Sequence, residues 1–136
     1  MNTLTIGQVA KQTGVGVETL RYYEREGLVE EPTRSSSSGY RQYPDSVVKR
    51  IHFIKRAQQL GFSLKEIAEL FALRVDPTID AGSVKRRVET KLVDIEHKIE
   101  ELLRMKLALE RLAHLCTGQG PISACPILDA LDQQDE

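Results

Sequence analysis

Two cysteines, Cys116 and Cys125, stand nine positions apart near the end of a chain of 136 residues that holds no other thiol. In an intracellular chain such a pair reads as free thiols or metal ligands before it reads as a structural disulfide. Thiolates are soft ligands, and two of them suit d10 ions such as Cu(I), Ag(I), Au(I) and Hg(II). A tetrahedral zinc site needs four ligands, and the cysteines supply two. His114 lies two residues from Cys116, off its helical face, and Asp80 is remote in sequence. With these as extra non-Cys ligands, a Zn, Cd or Pb site stands as an alternative. So does a thiol redox switch in which Cys116 and Cys125 close a disulfide, and so does a pair of idle thiols. An iron–sulfur cluster would need four cysteines. His52 and His97 read as helix-surface residues.

Both thiols sit at the ends of a loop. Gly118-Gln119-Gly120-Pro121 breaks the chain after Thr117, and Pro126 suits the first position of a short terminal helix, which makes Cys125 its N-cap. Upstream, from about Ala81 to Thr117, there is no Pro and no Gly beyond Gly82. Val88, Leu92, Ile95, Ile99, Leu102, Leu109, Ala113 and Cys116 recur in heptad steps, with Lys106 at the one polar position. This predicts a coiled-coil helix of about 52 Å at roughly 1.5 Å per residue. So small a chain cannot bury that seam alone, so the helix is expected to pair with a second copy of itself. A lone helix lying on the first domain would leave the seam partly wet.

The N-terminal part reads differently. Residues 1–75 hold 11 Lys/Arg against 8 Asp/Glu, whereas residues 76–136 hold 8 against 12. The positive charge therefore collects where a nucleic acid would bind, although the whole chain is at −1. Thr5-Ile6-Gly7-Gln8 has the form of a capping box, and Gly14 should stop the helix it opens. A second helix runs from about Val17 to Glu26 and ends at Gly27. Two short helices joined by a Gly-containing turn form a helix-turn-helix. Residues 28–43 predict a β-hairpin, a wing, with Ser35 to Gly39 at its tip and Tyr40-Arg41-Gln42-Tyr43 alternating with period two. Pro44 and Asp45 open a third helix with Val48, Ile51, Ile54 and Ala57 on one face. Ser63-Leu64-Lys65-Glu66 is a second capping box for a fourth helix through about Leu73, and Asp76-Pro77 is a hinge.

Other classes are disfavoured by composition. Hydrophobic residues make up 40% and charged residues 29%, which fits a folded protein and not a disordered one. No apolar run approaches the roughly 20 residues of a membrane span. The first residues lack the basic and apolar segments of a signal peptide, so a cytoplasmic protein without membrane attachment is expected. Absence of Trp and 5% aromatics suit a helical core of Leu, Ile, Val and Ala. No nucleophile–base constellation and no Gly-rich phosphate loop supports an enzyme.

Four stretches in this order resemble the MerR family of bacterial transcription regulators: Thr5-Ile6-Gly7, Val17-Glu18-Thr19-Leu20-Arg21-Tyr22-Tyr23-Glu24, Gly39-Tyr40-Arg41-Gln42-Tyr43, and Gln59-Leu60-Gly61-Phe62-Ser63-Leu64-Lys65-Glu66-Ile67. The resemblance spans essentially the whole chain. The ending Cys-x8-Cys-Pro-Ile-Leu is similar to the branch that senses mercury, copper, zinc, cadmium or lead. It implies a mainly α fold: a winged helix-turn-helix over 1–75, a hinge and long antiparallel coiled-coil dimerisation helix over 76–117, and a metal-binding loop with a short helix over 118–136. It implies a homodimer on double-stranded promoter DNA whose recognition hexamers are spaced too far apart for RNA polymerase. The metal-bound dimer then bends and untwists that DNA, at an energy on the order of 1–6 kcal/mol.

Carried onto this chain, the DNA contacts fall on Thr19, Arg21, Tyr22, Tyr40 and Arg41. Arg21 suits bidentate pairing with guanine or phosphate, Thr19 and Tyr22 suit phosphate oxygens, and Tyr40 and Arg41 would press on the flanking backbone. Tyr23 reads as core and Arg25 as a solvated charge. The metal ligands fall on Cys116 and Cys125. Divalent-metal sensors of the family usually carry a third Cys near the start of the long helix, reaching across the dimer. Counting back from Lys91-Leu92, that position is Ala81, which ligates nothing. Copper-type sensors also lack it, but their loop is usually one residue shorter, and the wording Gly120-Pro121-Ile122-Ser123-Ala124-Cys125-Pro126-Ile127-Leu128 looks more like the mercury sensors. Three readings stay open: a two-thiolate Cu(I), Ag(I) or Au(I) sensor, a two-thiolate Hg(II) sensor, or a variant with Ala in place of a native Cys.

Overall fold

A computed structural model describes residues 3–34 and 41–133, and they are mainly helical. The elements run β1 (Thr3–Leu4), α1 (Ile6–Thr13), α2 (Val17–Arg25), β2 (Thr33–Arg34), β3 (Arg41–Pro44), α3 (Ser46–Gln59), α4 (Leu64–Arg74), α5 (Ala81–His114), a 3-10 turn (Ile122–Ala124) and α6 (Pro126–Leu131). The chain divides into two units at Arg87/Val88, inside α5.

The helix starts follow local chemistry. Thr5 accepts from the Gln8 backbone N–H while the Gln8 side chain accepts from the Thr5 N–H, and Ser63 and Glu66 repeat the exchange at α4. Each box satisfies two N–H groups that an α-helix leaves without partners. Gly14 ends α1 at φ 73°, in the left-handed region that favours glycine. Lys55 Nζ donates to the Thr13 carbonyl at 2.7 Å, closing the same helix end from α3.

In the first unit α3 packs on both α1 and α4, and α1 also packs on α2. Val9, Leu20, Leu28, Tyr43, Ile51, Ile54 and Ile67 are the largest fully buried side chains. On α3 the buried positions are Val47, Ile51, Ile54 and Ala57. Val48, expected on that face, is only half-buried at its edge. At roughly 100° per residue Val47 stands about 40° from Ile51, whereas Val48 stands about 60° away on the other side. Burial of Val47 therefore turns the helix slightly from the expected setting.

The expected hairpin gains a strand. β3 pairs antiparallel with β2 (Thr33 opposite Gln42) and also with β1 (Thr3 opposite Pro44, Leu4 opposite Tyr43), giving the order β1-β3-β2. A strand of two residues is too short to show any period. The expected tip, Ser35 to Gly39, lies outside the described residues.

Beyond α4, Asp76 Oδ1 accepts from the Thr78 N–H at 2.9 Å and from Thr78 Oγ1 at 2.6 Å, forming a turn. These bonds hold the Asp76 carboxyl below the usual carboxylate range. α5 then runs for 34 residues with none buried. Among the described residues no helix is long and apolar enough to cross a membrane.

Two substitutions test this account. Ile51→Ala removes a fully buried side chain from the centre of the first unit and is expected to cost about 2–5 kcal/mol. Ser63→Ala removes one half of a capping box and is expected to cost about 1 kcal/mol. Urea denaturation monitored by circular dichroism measures both, and an Ile51→Ala midpoint equal to the parent's would contradict the assigned core.

Candidate nucleic-acid interface and metal site

The rotational setting of α2 comes from its inward face. Leu20 and Tyr23 are buried at 1% and 4% exposure, and the Tyr23 hydroxyl donates to Gln58 Oε1 on α3 at 3.1 Å. Tyr23 is thus a core residue, and burial raises its phenol above the ordinary range. With Leu20 and Tyr23 turned in, Thr19, Arg21, Tyr22 and Arg25 are exposed. The Arg25 guanidinium lies over the Tyr22 ring, 5.8 Å from its centroid. Sequence reasoning treated Arg25 as an isolated solvated charge. The signal available was the i,i+3 spacing to an aromatic residue, which places two helix side chains together.

Three contacts hold the base of the wing against the helices. Tyr43 on β3 is fully buried, and its hydroxyl bonds the Glu24 carboxylate at the end of α2. Arg50 on α3 donates from Nε to the Leu28 carbonyl, just beyond α2. The same guanidinium lies 3.7 Å from the centroid of the Phe71 ring on α4, and Phe71 stacks at a tilt on Phe53 with centroids 4.9 Å apart. Arg50 therefore touches the segment after α2 and α4 at once, and burial lowers its pKa more than Glu30 raises it. Sequence reasoning missed Arg50, because nothing local distinguishes it from Lys49 or Lys55. Arg41 is placed as the first residue of β3, opposite Arg34. Tyr40 lies outside the described residues.

In the second unit both cysteines are half-buried free thiols. Cys116 follows α5 by two residues, and Cys125 is the N-cap of α6 with Pro126 at the first helical position. The loop between them turns at Gly118 and Gly120, whose φ values are 84° and 101°. Its first turn aims the Gly118 N–H at Cys116 Sγ, 3.3 Å away. Among the described residues no group of three or more His, Cys, Asp or Glu side chains gathers as a metal-holding set. Two thiols fall short of the four ligands of structural zinc. Ala81, at the start of α5, offers no donor.

Comparison with known proteins places these parts together. Residues 4–73 match the model of the MerR HTH family regulatory protein, and residues 48–112 match that of MerR, DNA binding. A mercuric resistance operon regulatory protein of Serratia marcescens is 40% identical over 136 residues, covering 100% of this chain and 92% of that one. The crystal structure of the transcription regulator PbrR691 from Ralstonia metallidurans CH34 in complex with lead(II) superposes with a TM-score of 0.84 at 32% identity, over 94% of this chain and 98% of that one. HiNmlR, a MerR family regulator lacking the sensor domain and bound to promoter DNA, aligns with a TM-score of 0.54 at 26% identity, over 84% and 86%. With a family model covering more than half of the chain, a whole-length relative and the same helix-turn-helix, wing and long helix, the chain belongs to the MerR family of DNA-binding transcription regulators and is not an enzyme.

Proposed function

We propose that this chain is a metal-responsive regulator of a metal resistance or homeostasis promoter. In this reading Cys116 and Cys125 hold one soft ion, Hg(II) or Cu(I)/Ag(I)/Au(I), and the response is a change in promoter shape that RNA polymerase reads. The observation that carries it is the thiol loop: two half-buried free sulfurs, one with a backbone N–H on it, and no third donor gathered beside them among the described residues. Support for mercury comes from the Serratia marcescens relative, named for mercuric resistance. The lead(II)-bound PbrR691 structure supports metal binding on this fold more broadly. Cys116, just after α5, and Cys125, at the start of α6, would hold the ion, which would supply a Lewis-acidic centre for two thiolates.

The rest of the reading concerns what the chain's own residues do. Val88, Leu92, Ile95, Ile99, Leu102 and Leu109 are between 40% and 62% exposed within one protomer. An apolar seam of that length is stable in water only when covered, and a second copy supplies an equal seam as an antiparallel coiled coil. Two copies present two α2 helices, as a two-fold operator requires. Arg21 reads guanine or grips a phosphate, Thr19 and Tyr22 bond phosphate oxygens, and Tyr40 and Arg41 on the wing brace the flanking backbone. A metal that binds one dimer shape more tightly than the other shifts the population toward it, by no more than its difference in affinity.

Transcription in vitro from the responsive promoter, at buffered free Hg(II), Cu(I), Ag(I), Zn(II), Cd(II) and Pb(II), tests the sensing half. Activation is expected with Hg(II) or the monovalent ions and is expected to vanish in Cys116→Ser and in Cys125→Ser, while both variants still bind the promoter. Activation by Zn(II) alone would sink the two-thiolate reading. Response to an oxidant without metal would replace it with a disulfide switch.

For the DNA-reading half, Arg21→Ala is expected to weaken promoter binding by about 1–3 kcal/mol, roughly 5- to 150-fold, and to relax preference at one base pair if the contact is to guanine. Fluorescence anisotropy with a set of single-base-substituted duplexes measures it. Unchanged affinity would remove α2 from the interface.

A further inference from the structure

The exposed face of α2 has a centre, and Glu18 and Arg25, two turns apart on the helix, lie nearest it. At roughly 100° per residue, Arg25 stands about 40° from Arg21 and about 60° from Tyr22, between the two, and about 140° and 160° from the inward-facing Leu20 and Tyr23. It is exposed, and among the described residues it lies against the Tyr22 ring. Among the described residues no carboxylate pairs with it. A guanidinium lying on an aromatic face keeps its charge and the N–H groups at its edge, and it loses less side-chain freedom on binding than a free one.

We infer that Arg25 is a phosphate clamp of the DNA-binding face, with the Tyr22 ring as its pedestal. The inference rests on the proposed reading of α2 as the DNA-facing helix. A recognition helix offers its first turns to base edges, and its later residues come up against the groove wall. Arg25 is the last residue of α2, a full turn beyond Arg21. That position suits the backbone and not the bases, so Arg25 adds affinity and register without reading sequence. Tyr22 then has two parts to play: its hydroxyl can bond a phosphate oxygen, and its ring carries the guanidinium. Arg25 also lifts the positive charge of a helix that holds Glu18 and Glu24, which otherwise offset Arg21.

The test compares Arg25→Ala, Arg25→Lys, Tyr22→Phe, Tyr22→Leu and Arg21→Ala in the full-length chain. Two duplexes of equal length serve as probes, one selected from a randomised pool by the parent chain and one unrelated. Anisotropy titrations across a salt series give affinity and salt slope, and thermal melts report folding. Arg25→Ala is expected to weaken binding to both duplexes by a similar factor, roughly 5- to 20-fold. It should also lower the salt slope by about one for each clamp lost, about two for a symmetric dimer. Arg25→Lys should keep most of the slope, because the charge remains. Tyr22→Leu should weaken binding more than Tyr22→Phe, because only the former removes the pedestal.

The inference is overturned if Arg25→Ala and Arg25→Lys keep the parent affinity and slope while Arg21→Ala loses affinity. It is also overturned if Arg25→Ala lowers only the melting temperature, which would make the stack a helix-stabilising pair, or if affinity falls on the selected duplex alone, which would make Arg25 a base reader. If Arg21→Ala is silent as well, the DNA-facing reading of α2 fails and this inference falls with it.

Discussion

The burial of Leu20 and Tyr23 is the constraint on which the DNA-facing side of this protein depends. Nine residues make two and a half turns of helix, too short to hold its own orientation in water. What holds α2 is its inward pair: Leu20 in the core, and Tyr23 beside it with its hydroxyl spent on Gln58. Rotating the helix by one residue would expose both and strand that hydroxyl. Once the inward face is set, the outward one has no freedom left, and Arg21, Tyr22 and Arg25 must face solvent together. The wing is tied to the same frame through Tyr43 and Glu24, and Arg50 braces the segment between them against Phe71. The helix and the base of the wing are therefore held as one body, as a surface that grips both a groove and its flank requires.

The long helix obeys the opposite logic. The first unit buries its apolar residues around Ile51, Ile54 and Ile67, whereas α5 buries none of its 34 residues within the protomer. Its apolar seam is an association surface, and its free energy is realised only in the dimer. Within the first unit, Arg87 in the first turns of α5 bonds the Glu69 carboxylate of α4. That pair is about two-fifths exposed on each side, and an exposed ion pair contributes little.

At that far end the proposed sensor has little material to work with. Two half-buried thiols stand at the ends of a loop that turns at Gly118 and Gly120. The Gly118 N–H donates to the Cys116 sulfur. Ala81, where the family resemblance implies a third thiol in divalent sensors, carries no donor, and no group of three or more metal-ligating side chains gathers among the described residues. In the proposed reading, ligand number and softness choose the metal more than the shape of a cage does.

Sequence alone determined the parts whose chemistry is local. Both capping boxes, the glycine at the end of α1, the proline that starts α6 and the heptad seam of α5 lie in groups a few residues apart or in a period repeated over many turns. Each was legible because partners near in sequence need no knowledge of the fold. The order of motifs identified the family and, through it, the two candidate thiols at Cys116 and Cys125. Tertiary structure decided the rest. β1 exists because β3 passes beside Thr3 and Leu4, and two residues carry no pattern of their own. Val47 was turned inward over Val48 by packing against α1 and α4, a rotation smaller than one residue step. Arg50 found its carbonyl and its ring across three separate segments. Arg25 changed from a solvated charge to a stacked one because Leu20 and Tyr23 were already fixed in the core. Such features depend on which segments meet in space, and hydrophobic burial, which has no direction of its own, leaves that to the assembled core.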